Sequence, residues 1–200
     1  YAYETTEVLQ KQGIDVYVDK SDAQYKDEYT ITIGDENLKG KSFVICTGSA
    51  PRMIETEGIE KVNILHNENF WTLREHLGKI VFIGGGVISA ELGQSLARLG
   101  CEVCIMDKNP RILKVTDEEI GNYLTGQMEK EGVQLLTNSS PTRFTDANTL
   151  VYTKEGKEEE IKADYFFVAA GRAPHVNGMN LEKAGVDFSS RGIVTNEYLQ

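Results

Sequence analysis

The run Lys79-Ile80-Val81-Phe82-Ile83 leads without a break into Gly84-Gly85-Gly86, and residues 87–99 then contain no proline. A mostly apolar run rich in β-branched and aromatic residues reads as a strand buried on both faces. A strand that turns through glycines into a helix opens a βαβ unit, which commits the neighbouring chain to a parallel sheet with a covering helix. Within Val87–Leu99, residues Ile88, Leu92, Ser95, Leu96 and Leu99 form a small and apolar stripe, stopped by Gly100. Glu102–Met106 is a second strand, ended by Asp107.

The alternation of strand and helix starts near residue 61. Val62–Leu65 reads as a short strand and Phe70–His76 as a short helix. Thr116-x-x-Glu119 is a capping box that opens a helix with Ile120, Tyr123, Leu124 and Met128 inward and Gly132 as its stop. Val133–Leu136 is a third strand. Leu150–Thr153 and Glu160–Ala163 read as a hairpin about Glu155-Gly156, and Tyr165–Ala169 as another buried strand. Before residue 60 the pattern differs. A helix over 2–12 closes at Gly13, Ile14–Val18 alternates as a strand, and Tyr29–Ile33 with Ser42–Cys46 reads as a hairpin across Gly34-Asp35-Glu36-Asn37. Beyond Pro174 the chain is loop-like, with a short helix over Leu181–Ala184 and a strand over Ile193–Thr195.

Gly84-x-Gly86-x-x-Ser89 sits between strand and helix, and Asp107 ends the next strand 23 residues after Gly84. This is the arrangement that binds a dinucleotide. The first glycine permits the tight turn, and the second lets a pyrophosphate approach N–H groups at the positive end of the helix. Ser89 is small enough for close helix–strand packing, and Asp107 is placed to accept from the adenosine ribose hydroxyls, which favours NAD over NADP. A glycine turn without ligand is the alternative.

Composition narrows the partners. A net charge of −10 argues against nucleic-acid and anionic-membrane surfaces. The longest apolar-leaning run, Ile80–Ala90, is too short to span a bilayer, and the Tyr1 end lacks signal-peptide regions, so a cytoplasmic location is expected. Cys46, Cys101 and Cys104 are an odd count that suits no secreted disulfide framework. Residues three apart on a strand point to opposite faces, so Cys101 and Cys104 are expected to diverge, and no metal site is expected.

Four segments in order, Thr47-Gly48-Ser49-Ala50-Pro51, Gly84–Glu91, Arg111-Ile112-Leu113 and Ala170-Gly171-Arg172-Ala173-Pro174, resemble the pyridine nucleotide-disulfide oxidoreductase family, which includes dihydrolipoamide dehydrogenase, mercuric reductase and glutathione reductase. The resemblance implies an α/β fold: a Rossmann-like NAD-binding domain (51–165) with parallel sheet and flanking β hairpins, inserted into a partial FAD domain (1–50 and 166–200). It implies an NAD site of Gly84, Gly85, Gly86, Val87, Ile88, Ser89, Ala90, Glu91, Asp107 and Gly171, and FAD contacts from Ala23, Thr47, Gly48 and Ser49. Glu91 matches a glutamate beside nicotinamide and flavin, although its position alone also reads as a solvent-facing helix residue. Gly171 matches a backbone position near the nicotinamide ribose, and Arg172 is read as a structural ion-pairing residue. Val87 stands where glutathione reductases carry a gating tyrosine, which points to the lipoamide or mercuric branches. Cys46 and His175 replace a usual alanine and asparagine.

The implied activity is NAD(P)H:disulfide, or related, oxidoreduction through FAD by a homodimeric parent enzyme. The family's redox Cys-x4-Cys pair and its catalytic histidine are expected outside this sequence, so no catalytic residue is assigned and the 200 residues alone are expected to be inactive. The alternative is a stand-alone dinucleotide-binding or redox-sensing module without flavin chemistry.

Overall fold

The computed structural model describes residues 2–18 and 22–200, with side chains from Thr6 onward. In chain order the first segment contains α1 (Ala2–Lys11), β1 (Gln24–Asp27), β2 (Thr30–Ile33), β3 (Glu36–Lys39) and β4 (Ser49–Pro51). Then come β5 (Ile64–Leu65), β6 (Lys79–Ile83), α2 (Val87–Arg98), β7 (Glu102–Met106), α3 (Glu118–Lys130) and β8 (Gln134–Leu136). β9 (Ser139–Phe144), β10 (Thr149–Lys154), β11 (Lys157–Lys162), β12 (Tyr165–Val168), β13 (Arg172–Pro174), β14 (Phe188–Ser189) and β15 (Gly192–Ile193) complete the order. Two compact units result, one of residues 1–49 and 174–200, the other of residues 50–173. The return to the first unit falls at Pro174 rather than at residue 166, because Tyr165–Val168 is a central strand of the second unit's sheet.

The second unit has three layers. Its middle is a parallel sheet in the order β5-β12-β6-β7-β8, with Phe82 level with Ile105 on one side and Phe167 on the other. Period-2 alternation sorts the strand residues between two cores. Ile80, Phe82, Val103, Ile105 and Phe167 face the helices and pack with Ala90, Leu96 and Met128. Val81, Ile83, Cys104, Met106, Phe166 and Val168 face the antiparallel sheet β11-β10-β9, whose Phe144, Leu150 and Tyr152 close the other side. Both faces of the sheet are therefore covered, as the unbroken apolar strands require.

The helix faces differ from expectation. On α2 the buried residues are Ser89, Ala90, Gly93 and Leu96, with Ile88 and Leu92 only partly buried and Leu99 73% exposed. The face is turned toward its smallest residues because the helix lies close on the sheet: a Cβ at Gly93 would stand 3.1 Å from Ile105 Cδ1 and 3.4 Å from Val103 Cγ1. On α3, Gly121 and Met128 are buried, Leu124 is partly so, and Ile120 and Tyr123 face solvent. Gly121 turns inward because Arg111 lies against it, with Nη1 2.5 Å from where a Cβ would be. The cap of α3 is Asp117, which accepts from the Glu119 N–H at 3.0 Å, and not Thr116. Phe70–His76 shortens to a 3-10 turn over Phe70–Thr72.

In the first unit, β1, β2 and β3 form an antiparallel meander. The partner of β2 is Glu36–Lys39 rather than Ser42–Cys46, since Ile33 pairs directly with Glu36 across a two-residue Gly34-Asp35 turn in which Gly34 has φ +59°. Residues 42–46 keep the alternation, with Phe43 and Ile45 packed on Tyr25, Val176 and Leu181 and Val44 exposed, but they join no ladder. Ile14–Val18 is likewise no strand; no described strand pairs with it, and Ile14, Tyr17 and Val18 are exposed. The strand expected over 193–195 is a two-residue pairing of Gly192–Ile193 with Phe188–Ser189.

Candidate functional site

β6 delivers the glycine loop to the carboxyl edge of the sheet. Gly84 takes φ +108°, and its N–H donates to the Met106 carbonyl at 2.8 Å. A Cβ there would lie 2.5 Å from the Ala169 carbonyl oxygen, so glycine is needed for the approach of the chain just past the end of β12 as well as for the turn. Gly85 is equally enclosed, with Ile112 Cγ2 and Asp107 Oδ2 within 3 Å of a notional Cβ. Gly86, the N-cap of α2, is different: its φ of −82° suits any residue, yet a Cβ would meet nothing within 4 Å. The space beside it is open. α2 has no side-chain cap and no acidic residue in its first turn, and the first bond back to Gly86 comes from Ala90. The N–H groups of Val87, Ile88 and Ser89 thus lack helical acceptors and carry the positive end of the helix dipole. Ser89 is fully buried, and its hydroxyl donates to the Gly84 carbonyl, fastening the helix to the turn.

Asp107 stands opposite. Its Oδ2 accepts from the Gly85 N–H at 2.5 Å, and its Oδ1 from the N–H and Nδ2 of Asn109, both at 2.7 Å. The glycine loop, Asp107, Lys108, Asn109, the β9 start at Ser139–Pro141, and Ala169-Ala170 line a crevice of about 330 Å³. It opens beyond the carboxyl ends of β6, β7 and β12, where the connection from β6 runs one way to β7 and the chain returns on the other side as β12, the usual ligand position in such sheets. Arg111 is not turned to the crevice. Its guanidinium donates to the carbonyls of Leu113 (2.7 Å), Thr116 (2.9 Å) and Lys114 (3.1 Å) and so braces the loop before α3.

The sequence-predicted residues are therefore only partly brought together. Gly84, Gly85, Gly86 and Asp107 line the crevice. Val87 is half exposed and Ile88 part-buried just behind the loop, Ala90 is buried, and Glu91 is exposed further along α2. Gly171, at φ +103°, follows the lining residue Ala170 and accepts from the Arg52 N–H at 3.0 Å. Arg172 pairs with Glu68 at 3.4 Å. Asn109, Ser139 and Ser140 were not singled out by sequence, whereas Lys108, next to the acid, reads in the sequence as a rival phosphate contact. Asn109 carried a signal, lying two residues past the acid, but the serines come from a strand that only the folded sheet brings near.

In the first unit, Thr47 Oγ1 donates to the His175 carbonyl at 2.8 Å, and the His175 N–H donates to the Gly48 carbonyl at 3.0 Å. His175 acts there through its backbone. Gly48 has φ +69°, Ser49 begins β4, and Ala23 is exposed just before β1. All three cysteines are free. Cys101 belongs to the helix-side core and Cys104 to the opposite one, so the sulfurs diverge. Burial pushes the Cys104 thiol up to about 12. Among the described residues no cluster of three or more His, Cys, Asp or Glu is placed to hold a metal, and no helix is long and apolar enough to cross a membrane.

Residues 2–200 match the pyridine nucleotide-disulphide oxidoreductase family. The chain belongs to that family. It is 34% identical over 198 residues to a mercuric reductase of Staphylococcus aureus, covering 97% of this chain and 36% of the relative. It is 34% identical over 190 residues to a dihydrolipoyl dehydrogenase of Bacillus subtilis (strain 168), covering 92% and 42%. Among solved structures, the HOCl-induced flavoprotein disulfide reductase RclA from Escherichia coli superposes with a TM-score of 0.77 at 22% identity, over 88% of this chain and 41% of that one, which shows a shared fold. The chain thus spans about two-fifths of the curated relatives it matches.

Proposed function

We propose that residues 50–173 bind NADH for a flavoprotein oxidoreductase, and that the unit of residues 1–49 and 174–200 contributes to its FAD domain. The observation that carries this reading is the open space at Gly86, at the end of α2 whose first three N–H groups lack helical acceptors, in a crevice that Asp107 also lines. A pyrophosphate fits the positive helix end, and a ribose hydroxyl fits the acid. When bound, the reduced nicotinamide supplies a hydride that FAD accepts. This chain's residues bind and orient: Gly84 and Ser89 hold the turn, Gly85 and Asn109 hold Asp107, Glu91 and Gly171 serve the nicotinamide end, and Ala23, Thr47, Gly48 and Ser49 contact FAD.

NAD is favoured over NADP. Asp107 repels a 2′-phosphate, and Arg111, the strongest phosphate-binding side chain nearby, is committed to loop carbonyls. Lys108 at the rim is an exposed ammonium and gains little by comparison. The substrate class is a disulfide or related oxidised group, the parent a homodimer, and its setting the cytoplasm, in keeping with three free cysteines. Calorimetric titration with NADH and NADPH tests the reading. Asp107→Ala is expected to weaken NADH about 10-fold to 100-fold, and NADPH binding as tight as NADH refutes it.

A further inference from the structure

The carboxylate of Asp107 has about four lone-pair sites. Three are in use within the protein: two on Oδ1, filled by the N–H and Nδ2 of Asn109, and one on Oδ2, filled by the Gly85 N–H. The orientation of the Asn109 amide is fixed independently, since its Oδ1 accepts from Lys114 Nζ at 3.1 Å. The opposite flip would set amide oxygen against carboxylate and amide N–H against ammonium, both repulsive. The Asn109 carbonyl in turn receives the Asn138 N–H at 2.9 Å, which ties the residue to the turn before β9.

We infer that Asn109 is a positioning residue that saturates Oδ1 of Asp107 and leaves one acceptor site, on Oδ2, for a single ribose hydroxyl. The inference rests on the dinucleotide reading above and adds the residue that sets how the acid is presented. A vicinal diol asks for two acceptors, and Asp107 supplies one. Held in this rotamer, the carboxylate also keeps its charge toward the position a 2′-phosphate would take. Without the side chain of Asn109, Oδ1 loses one donor and Asp107 is freer to turn away.

The test is a double-mutant cycle in the intact protein, read by calorimetric titration with NADH and NADPH. Asn109→Ala is expected to weaken NADH about 3-fold to 10-fold and to narrow the NADH-over-NADPH preference. In an Asp107→Ala background the same change is expected to have no further effect on NADH, because it acts through the carboxylate. Asn109→Ser, which keeps a small polar group at the lining, is run beside it, with the same narrowing expected. Equal loss with and without Asp107, an unchanged preference ratio, or NADH binding within twofold of wild type overturns the inference. Wild-type protein that binds neither dinucleotide overturns the underlying reading as well, whereas an inert Asn109→Ala beside a damaging Asp107→Ala overturns this inference alone.

Discussion

Alanine at Gly86 and at Gly84 is expected to separate binding from folding. At Gly86 the backbone, φ −82° and ψ −171°, is extended and open to any residue, and the new methyl group meets no protein atom within 4 Å. Reduced freedom of the unfolded chain stabilises by about 0.4–1 kcal/mol, while alanine is a poorer N-cap than glycine by about 0.5–1 kcal/mol. The two nearly cancel, so Tm is expected to stay within about 2 °C. Binding is another matter, because the methyl group occupies the face to which the first N–H groups of α2 are directed. Overlap with a phosphate oxygen and weakened charged hydrogen bonds are expected to cost about 2–4 kcal/mol together, roughly 30-fold to 800-fold in Kd. At Gly84 the reverse holds. A side chain at φ +108° is strained, and its Cβ would be 2.5 Å from a backbone carbonyl oxygen that cannot swing aside. A loss of about 2 kcal/mol or more, lowering Tm by about 4 °C or more, is expected. Scanning calorimetry with NADH titration reads both. Gly86→Ala binding NADH within twofold of wild type refutes the assignment of the open space to the pyrophosphate, and Gly84→Ala melting at the wild-type temperature refutes the steric account.

Three further outcomes are expected. Cys104, buried and pushed up to about 12, should resist iodoacetamide in the native protein at pH 8 while exposed Cys46 is modified; mass spectrometry finding equal labelling contradicts the two-sided sheet packing. Asp117→Ala should lower stability by about 1 kcal/mol and Thr116→Ala by less than about 0.5 kcal/mol in urea unfolding, and the opposite order would return the cap to Thr116. Glu131 is held below its ordinary 4.5 by hydrogen bonding to Arg98, so its contribution is present above that value and lost as pH falls through the lowered one. Arg98→Ala should therefore flatten the fall of Tm below pH 4.5, and an unchanged slope would show the pair to be inert.

The elements that were legible in the sequence are those whose stabilisation is local in pattern. β6 and β7 have the bounds expected, because a fully buried strand writes its burial as an unbroken apolar run and Asp107 ends it. The turn at Gly84, the stops at Gly100 and Gly132, and the dinucleotide spacing from Gly84 to Asp107 are likewise set by residues adjacent in the chain, where a φ above zero or a helix end demands a particular residue type. The tertiary structure decided what depends on a partner. Ser42–Cys46 and Ile14–Val18 alternate as strands do but join no ladder, because Glu36–Lys39 took the edge of β2 and no described strand lies beside residues 14–18. The faces of α2 and α3 were set by how near each helix could come to its neighbour, which selected Gly93 and Gly121 over larger apolar residues. The same holds for the site. Sequence spacing named Gly84, Gly86 and Asp107, but that Asp107 turns back onto the Gly85 N–H, that Asn109 holds its other oxygen, and that Ser139 and Ser140 form the far wall are consequences of the end of β7 meeting the start of β9, a strand of the other sheet, where the Ser139 N–H donates to the Asp107 carbonyl.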